Sequence, residues 1–282
     1  MASFHFDGFR IVFEQRGRRH GAAERPIVLI HGLLLPRKHN YPLADALAER
    51  GNRVILVDLL GHGESDQPPH SRYHSMEIYA RQVVALLDHL DVPEAVIAGT
   101  SLGANVTVEV AVHAPERTRA LFVEMPVLER AAPAAAAIFL PLTIAYAEAS
   151  GAFSLMARAM RRVPRGLHVY WDVVLDTLSR DPVPSAAVLH GLLTGRLAPH
   201  PTERERIDVP ALIVGHPHDI LHPFSDASAL HRELPNSELV PARSFFELRF
   251  PPNRLSDRIA DFLDGVWDAR PARTASAGPP AG

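Results

Sequence analysis

The 282-residue chain contains no cysteine. That absence removes disulfides, thiolate nucleophiles, Cys-x-x-Cys redox pairs, zinc ribbons and iron–sulfur clusters together, so any nucleophile is another residue type. Positive charge is not in excess either: 29 Lys and Arg stand against 32 Asp and Glu, a net charge of −3. No basic footprint calls for nucleic acid or an anionic membrane surface. Long hydrophobic runs are missing too. The longest, residues 131–147, is interrupted by Pro133 and Pro141 and falls short of the roughly 20 residues that a bilayer crossing needs. Residues 1–19 mix Asp7, Glu14 and several arginines with aromatics and hold no apolar stretch of the signal-peptide kind, so a cytoplasmic location with no membrane partner is the expectation. There is no internal repeat and no Walker A motif. Gly61-x-Gly63 follows a strand as a dinucleotide loop does, but Asp66 occupies the third glycine position.

What is present is the composition of a soluble globular chain: 47% hydrophobic and 22% charged residues, enough for a sizeable core. The length allows one large α/β domain carrying an insertion, or two small domains. Residues 4–14 hold aromatic and β-branched residues around Asp7-Gly8 and read as a hairpin. Short continuous apolar runs at 26–30, 53–58, 95–98, 119–124, 210–215 and 238–241 read as buried strands. Helical patterns at 41–50, 76–90 and 255–267 alternate with them, and strands alternating with helices mean a parallel sheet. The valines of residues 106–112 alternate as in a strand, yet the span from Ser101 to Ala114, stopped by Pro115, fits a buried helix. Between 125 and 209 the alternation lapses into Ala-, Leu- and Met-rich sequence with scattered prolines, which reads as several short helices inserted in one place. Residues 269–282 have the composition of a disordered tail.

The strand at 95–98 runs into Gly99-Thr100-Ser101-Leu102-Gly103, a G-x-S-x-G between a strand and a helix. In such a turn the glycines allow backbones to approach where side chains would collide, the strained serine is lifted clear of the sheet, and the next amide is left free to donate. The helix that follows points its N-terminus at the reacting oxygen.

With these residues in hand, the chain from about Phe4 to Trp267 resembles the α/β-hydrolase fold superfamily. His31-Gly32-Leu33-Leu34 is similar to that family's HG oxyanion turn, Asp58 to Asp66 resembles its D-x-x-G-x-G-x-S loop, and Pro115-Glu116-Arg117 resembles the usual end of the helix after the nucleophile. The segment from Leu212 to Pro223 is similar to the strand and loop that carry the acid. The resemblance implies a mostly parallel central sheet flanked by helices, with a core at 1–125 and 206–268 and a helical cap inserted at 126–205. It also implies Ser101 as nucleophile, Asp219 as the orienting acid, and the Leu33 and Leu102 amides as donors to the oxyanion.

The chain departs from the family at the general base. The family places a histidine just after the last strand, whereas this stretch reads Pro-Ala-Arg-Ser-Phe-Phe-Glu-Leu-Arg-Phe from Pro241 to Phe250, and the last histidine of the chain is His231. A serine hydroxyl needs a base to become a useful nucleophile. Three residues are candidates: His222, three positions after Asp219; Glu247, near the vacated position; and His31, whose alternative role is to shape the oxyanion turn. Glu124, at the end of its strand, is a second candidate for the orienting acid. The catalytic set expected here is Ser101, Asp219 and His222.

No cofactor is called for. The cluster of His216, His218, Asp219 and His222 has metal-ligand chemistry but lacks the i, i+4 pairing of a zincin helix, and no metal is expected. A serine at the elbow argues against haloalkane dehalogenases and epoxide hydrolases, which attack through a carboxylate. The apolar residues of the insertion imply a small-molecule substrate with an apolar part. The function expected is a serine hydrolase of small to medium esters or thioesters. The rivals are a ligand-binding protein on the same scaffold with a degenerate triad, and a cofactor-free lyase or perhydrolase. The oligomeric state is not readable.

Overall fold

The computed structural model describes residues 2–17, 24–244 and 246–269. Strands β1 (Ala2–Phe6) and β2 (Phe9–Arg16) form the expected hairpin. There follow β3 (Pro26–Ile30), α1 (Tyr41–Glu49), β4 (Arg53–Asp58), α2 (Met76–His89), β5 (Ala95–Thr100), α3 (Leu102–His113) and β6 (Thr118–Glu124). The β6–β7 connection carries α4 (Ala132–Glu148), α5 (Ser150–Arg161), α6 (Val169–Leu178), α7 (Pro182–Thr194) and the single turn α8 (Pro201–Arg204). The chain returns through β7 (Ala211–Gly215), α9 (Phe224–Glu233), β8 (Ser237–Pro241) and α10 (Arg254–Asp268).

The eight strands lie in the order β1-β2-β4-β3-β5-β6-β7-β8. β2 runs antiparallel to its neighbours β1 and β4, and all the other pairs are parallel. This is the mostly parallel sheet of the α/β-hydrolase fold. Because successive strand residues face opposite ways, β3 divides its side chains between two cores. Val28 and Ile30 pack with residues of α2, α3 and α9, while Ile27 and Leu29 pack with α1 and α10. The central strands are buried on both faces, which is why they read as continuous apolar runs. The helices are set by ordinary signals: the Ser75 hydroxyl accepts from the Ile78 amide at the start of α2, and Asn253 accepts from Leu255 and Ser256 at the start of α10.

The ambiguous valine segment is helical. Residues 102–111 of α3 are all buried, so the helix has no solvent-facing polar stripe, and its polar side chains Asn105, Thr107 and Glu109 are each hydrogen-bonded. Two features depart from the sequence reading. α4 runs for 17 residues straight through Pro141, and α9, for which no helix is expected, follows the acid loop. The expected tail lies, apart from Ala269, outside the described residues. Among the described residues no single helix is long and apolar enough to cross a membrane.

The insertion is fastened to the core by buried polar contacts. Asn105, one turn beyond Ser101, bonds both its ends: the amide nitrogen donates to the Val127 and Leu197 carbonyls at 2.7 Å each, and the oxygen accepts from the Val127 amide at 3.0 Å. Asp226 on α9 accepts from the Leu128 and Ala131 amides. Arg204, fully buried, bonds Glu129 and Glu233.

Candidate active site

Parallel sheets place ligands at the carboxyl ends of their strands, and β5 ends here in the elbow. Ser101 has φ 56° and ψ −113°, outside the regions an L-residue prefers; such a residue costs on the order of 1–3 kcal/mol and persists only where its surroundings enforce it. The enforcement is visible in the flanking glycines. A Cβ on Gly99 would overlap the Gly103 backbone, and one on Gly103 would overlap the Ile30 carbonyl. The Ser101 amide donates to the Glu124 carbonyl at 2.9 Å, anchoring the elbow to β6. Among the described residues, neither the Leu102 nor the Leu33 amide has a protein acceptor.

The loop after β7 brings Asp219 and His222 to this point. The Asp219 carboxylate folds the loop on itself: Oδ1 accepts from the Leu221 and His222 amides, both at 2.9 Å. That turn swings the His222 ring so that Nδ1 lies 2.9 Å from Asp219 Oδ2 and Nε2 lies 2.9 Å from Ser101 Oγ. A carboxylate only accepts, which assigns the proton to Nδ1 and leaves the Nε2 lone pair for the Ser101 hydroxyl. The hydrogen bond from the His222 ring holds the Asp219 carboxyl at about 2, with the Leu221 and His222 amides adding to it against partial burial. Ser101, His222 and Asp219 therefore form a continuous hydrogen-bonded chain.

The other candidates lie elsewhere. His31 has both ring nitrogens on backbone: Nε2 accepts from the Leu59 amide at 3.0 Å and Nδ1 lies 2.8 Å from the Gly32 carbonyl. Burial lowers its pKa. It shapes the turn that presents Leu33. Glu247 bonds Arg254 at 2.9 Å and the Arg243 amide at 2.7 Å, away from Ser101. Glu124, fully buried at the end of β6, accepts from Thr100 Oγ1 at 2.5 Å and from Arg249 at 3.1 Å, with His216 Nε2 at 3.2 Å. Burial raises its pKa, but Arg249, His216 and Thr100 outweigh that and hold it at about 2. The stretch after β8 thus sends an arginine, not a histidine, to Glu124 at the end of β6. His216 turns to Glu124 and His222 to Ser101; among the described residues no three His, Asp or Glu side chains converge as a metal set. Asp58 of the D-x-x-G-x-G loop is structural, bound to the Arg37 amide at 2.6 Å and to the Arg37 guanidinium.

A small cavity of about 60 Å³ opens on Ser101 and His222. Its walls are Leu33, Leu102 and Asn105 of the core, Ala135 and Phe139 of α4, and Leu189, Leu192 and Leu193 of α7. Sequence alone missed Asn105, which joins pocket, elbow and insertion, and Arg249. A mid-helix Asn among valines is the signal that could have found the first. Nothing in the sequence pairs Arg249 with Glu124 across 125 positions.

Comparison with known proteins agrees with the fold. Residues 25–153 match the family model for the alpha/beta hydrolase fold, and the whole chain has that fold. Over 93% of its length it superimposes on 99% of the enol-lactonase from Burkholderia xenovorans LB400, with a TM-score of 0.74 and 22% identity. A thermophilic esterase from Thermogutta terrifontis covers 94% of the chain and 97% of its own, with a TM-score of 0.71 and 22% identity. Among curated proteins, one named as a non-heme haloperoxidase in Mycobacterium phage D29 is 38% identical over 114 residues, 40% of this chain and 38% of that protein. The chain spans less than half the length of such relatives.

Proposed function

We propose that the protein is a serine hydrolase acting on small to medium carboxylic esters or thioesters through an acyl-enzyme. The observation that carries this reading is the 2.9 Å contact between Ser101 Oγ and His222 Nε2, with Asp219 on the far ring nitrogen. Ser101 Oγ attacks the substrate carbonyl as His222 takes its proton, and the ionised Asp219 stabilises the imidazolium that forms. The developing oxyanion accepts from the Leu33 and Leu102 amides, neither of which has a protein acceptor among the described residues. His222 then returns the proton to the leaving group, and a water activated by the same ring releases the acid. The helical insertion serves as a cap, with α4 and α7 roofing an apolar pocket for the acyl group. The lactonase and esterase among the structural neighbours fit this class by name.

The test is covalent. A fluorophosphonate probe is expected to add one phosphonyl group to the wild-type protein, on Ser101 by peptide mass, and to leave Ser101→Ala unlabelled. Labelling that persists in Ser101→Ala, or none in the wild type at any pH, overturns the reading and favours a binding protein.

A further inference from the structure

The loop after β4 and the insertion enclose a second cavity, of about 320 Å³, which shares no lining residue with the Ser101 pocket. Leu34, Pro36 and Lys38 line it from the core, and Arg161, Arg165 and Arg180 from the insertion. Carboxylates line it too, but they are engaged. Asp58 and Glu64 both pair with Arg37. Asp176 is shared by Lys38 at 2.9 Å and Arg165 at 3.2 Å. Asp181 caps α7, accepting from the Val183 amide at 3.0 Å.

Arg180 differs from these. It is 9% exposed, and its guanidinium donates to two neutral acceptors, the Gly61 carbonyl and Ser185 Oγ. Among the described residues no carboxylate forms an ion pair with it. Buried charges are ordinarily paired, and a guanidinium carries five donors in a planar fork that matches a carboxylate. Burial, only partly offset by Tyr79, Tyr146 and Asp58, pulls Arg180 down to about 10, as befits a cation short of negative charge. The exposed Arg161, on the same cavity, bonds the Ser179 carbonyl. The volume reaches the roughly 300 Å³ at which small-molecule pockets begin, well above what a lone inorganic ion fills.

We propose that this cavity binds a small organic anion, its carboxylate seated on Arg180 with Arg161 alongside, and its hydrocarbon part against Leu34 and Pro36. The site is independent of Ser101, so Ser101→Ala retains it whatever becomes of the hydrolase reading.

Thermal stabilisation of the full chain by succinate, by its uncharged diamide and by inorganic phosphate, at one pH and one ionic strength, tests this. Succinate is expected to raise Tm saturably in the wild type and in Ser101→Ala, the diamide to leave it unchanged, and phosphate to bind about ten-fold more weakly. Arg180→Gln weakens succinate by about ten-fold or more, the scale of a lost charge-assisted bond. Arg161→Gln, at an exposed position, weakens it a few-fold and decides the matter alone if Arg180→Gln does not fold. A wild type with no saturable succinate shift, a diamide that works as well, or undiminished binding in the folded variants overturns the proposal. Phosphate binding as tightly as succinate overturns its organic part.

Discussion

His222 reaches Ser101 from the same loop turn as its own partner: Asp219, three positions earlier, holds the ring from one side and the His222 backbone amide from the other. In the proposed mechanism base and acid thus come from one short segment after β7, and the stretch after β8 is not needed to supply the base. That stretch instead supplies Arg249, which forms an ion pair with Glu124, and Glu124 also accepts from Thr100, the residue just before Ser101. One carboxylate bonds the His222 imidazole while the other bonds Thr100 at the elbow.

The first prediction concerns the elbow. Gly103→Ala places a methyl group against the Ile30 carbonyl, and backbone overlap of this kind costs about 1–3 kcal/mol or more. Thermal unfolding should show a loss of that size, and ester turnover should fall further than stability does because Ser101 and the Leu102 amide move together. An unchanged Tm and rate would mean that the elbow tolerates a side chain there.

Glu124→Gln should destabilise the fold by about 3 kcal/mol, since it removes the carboxylate that a buried arginine pairs with. Denaturant unfolding measures this directly. The variant that remains folded keeps Ser101, His222 and Asp219, so residual turnover is expected, in contrast to Asp219→Asn. If Asp219→Asn turned over normally and Glu124→Gln did not, the two carboxylates would exchange roles.

The pH dependence of stability has a definite sign. Asp219 in the folded protein titrates at about 2, below its ordinary value of 3.8. A depressed carboxylate stabilises the fold above its unfolded value and loses that contribution as the pH falls through the folded one. The side chain is mostly buried, at 18% exposure, and the shift corresponds to roughly 2 kcal/mol. The stability difference between wild type and Asp219→Asn, followed by urea unfolding, should be constant above about pH 5 and shrink towards pH 2. A difference independent of pH would contradict the contact.

Phe139 stands at the wall of the small pocket. The wild type should prefer acetyl to hexanoyl esters, and Phe139→Ala should shift the ratio of kcat/KM towards the longer chain by about ten-fold, the lower end of what hydrophobic pockets discriminate per methylene. An unaltered chain-length profile would place the acyl group elsewhere.

Much of this was legible in the residues, for reasons that differ from element to element. β3 to β7 are buried on both faces and so spell unbroken apolar runs, and the elbow announces itself because only glycine fits at 99 and 103. α9 was hidden: Phe224–Glu233 buries little beyond Ala227 and Leu230 among its apolar residues, so no stripe marks it. Pro141 read as a break because an interior proline removes a helical hydrogen bond, yet α4 carries it. His222 was preferred to Glu247 and His31 as the candidate base, but its approach to Ser101 was not legible, because it depends on Asp219 Oδ1 gathering two backbone amides. The Glu124–Arg249 pair depends on contacts across the whole fold, which spacing does not encode.

The most direct measurement is the turnover of p-nitrophenyl acetate by wild type, Ser101→Ala, His222→Ala and the double variant, each verified as folded. Members of such a unit act together, so each single variant should lose on the order of 10⁴- to 10⁶-fold in kcat and the double variant no more than the worse single one. A His222→Ala protein that keeps a tenth or more of the wild-type rate, while Ser101→Ala does not, would contradict the account and require another base.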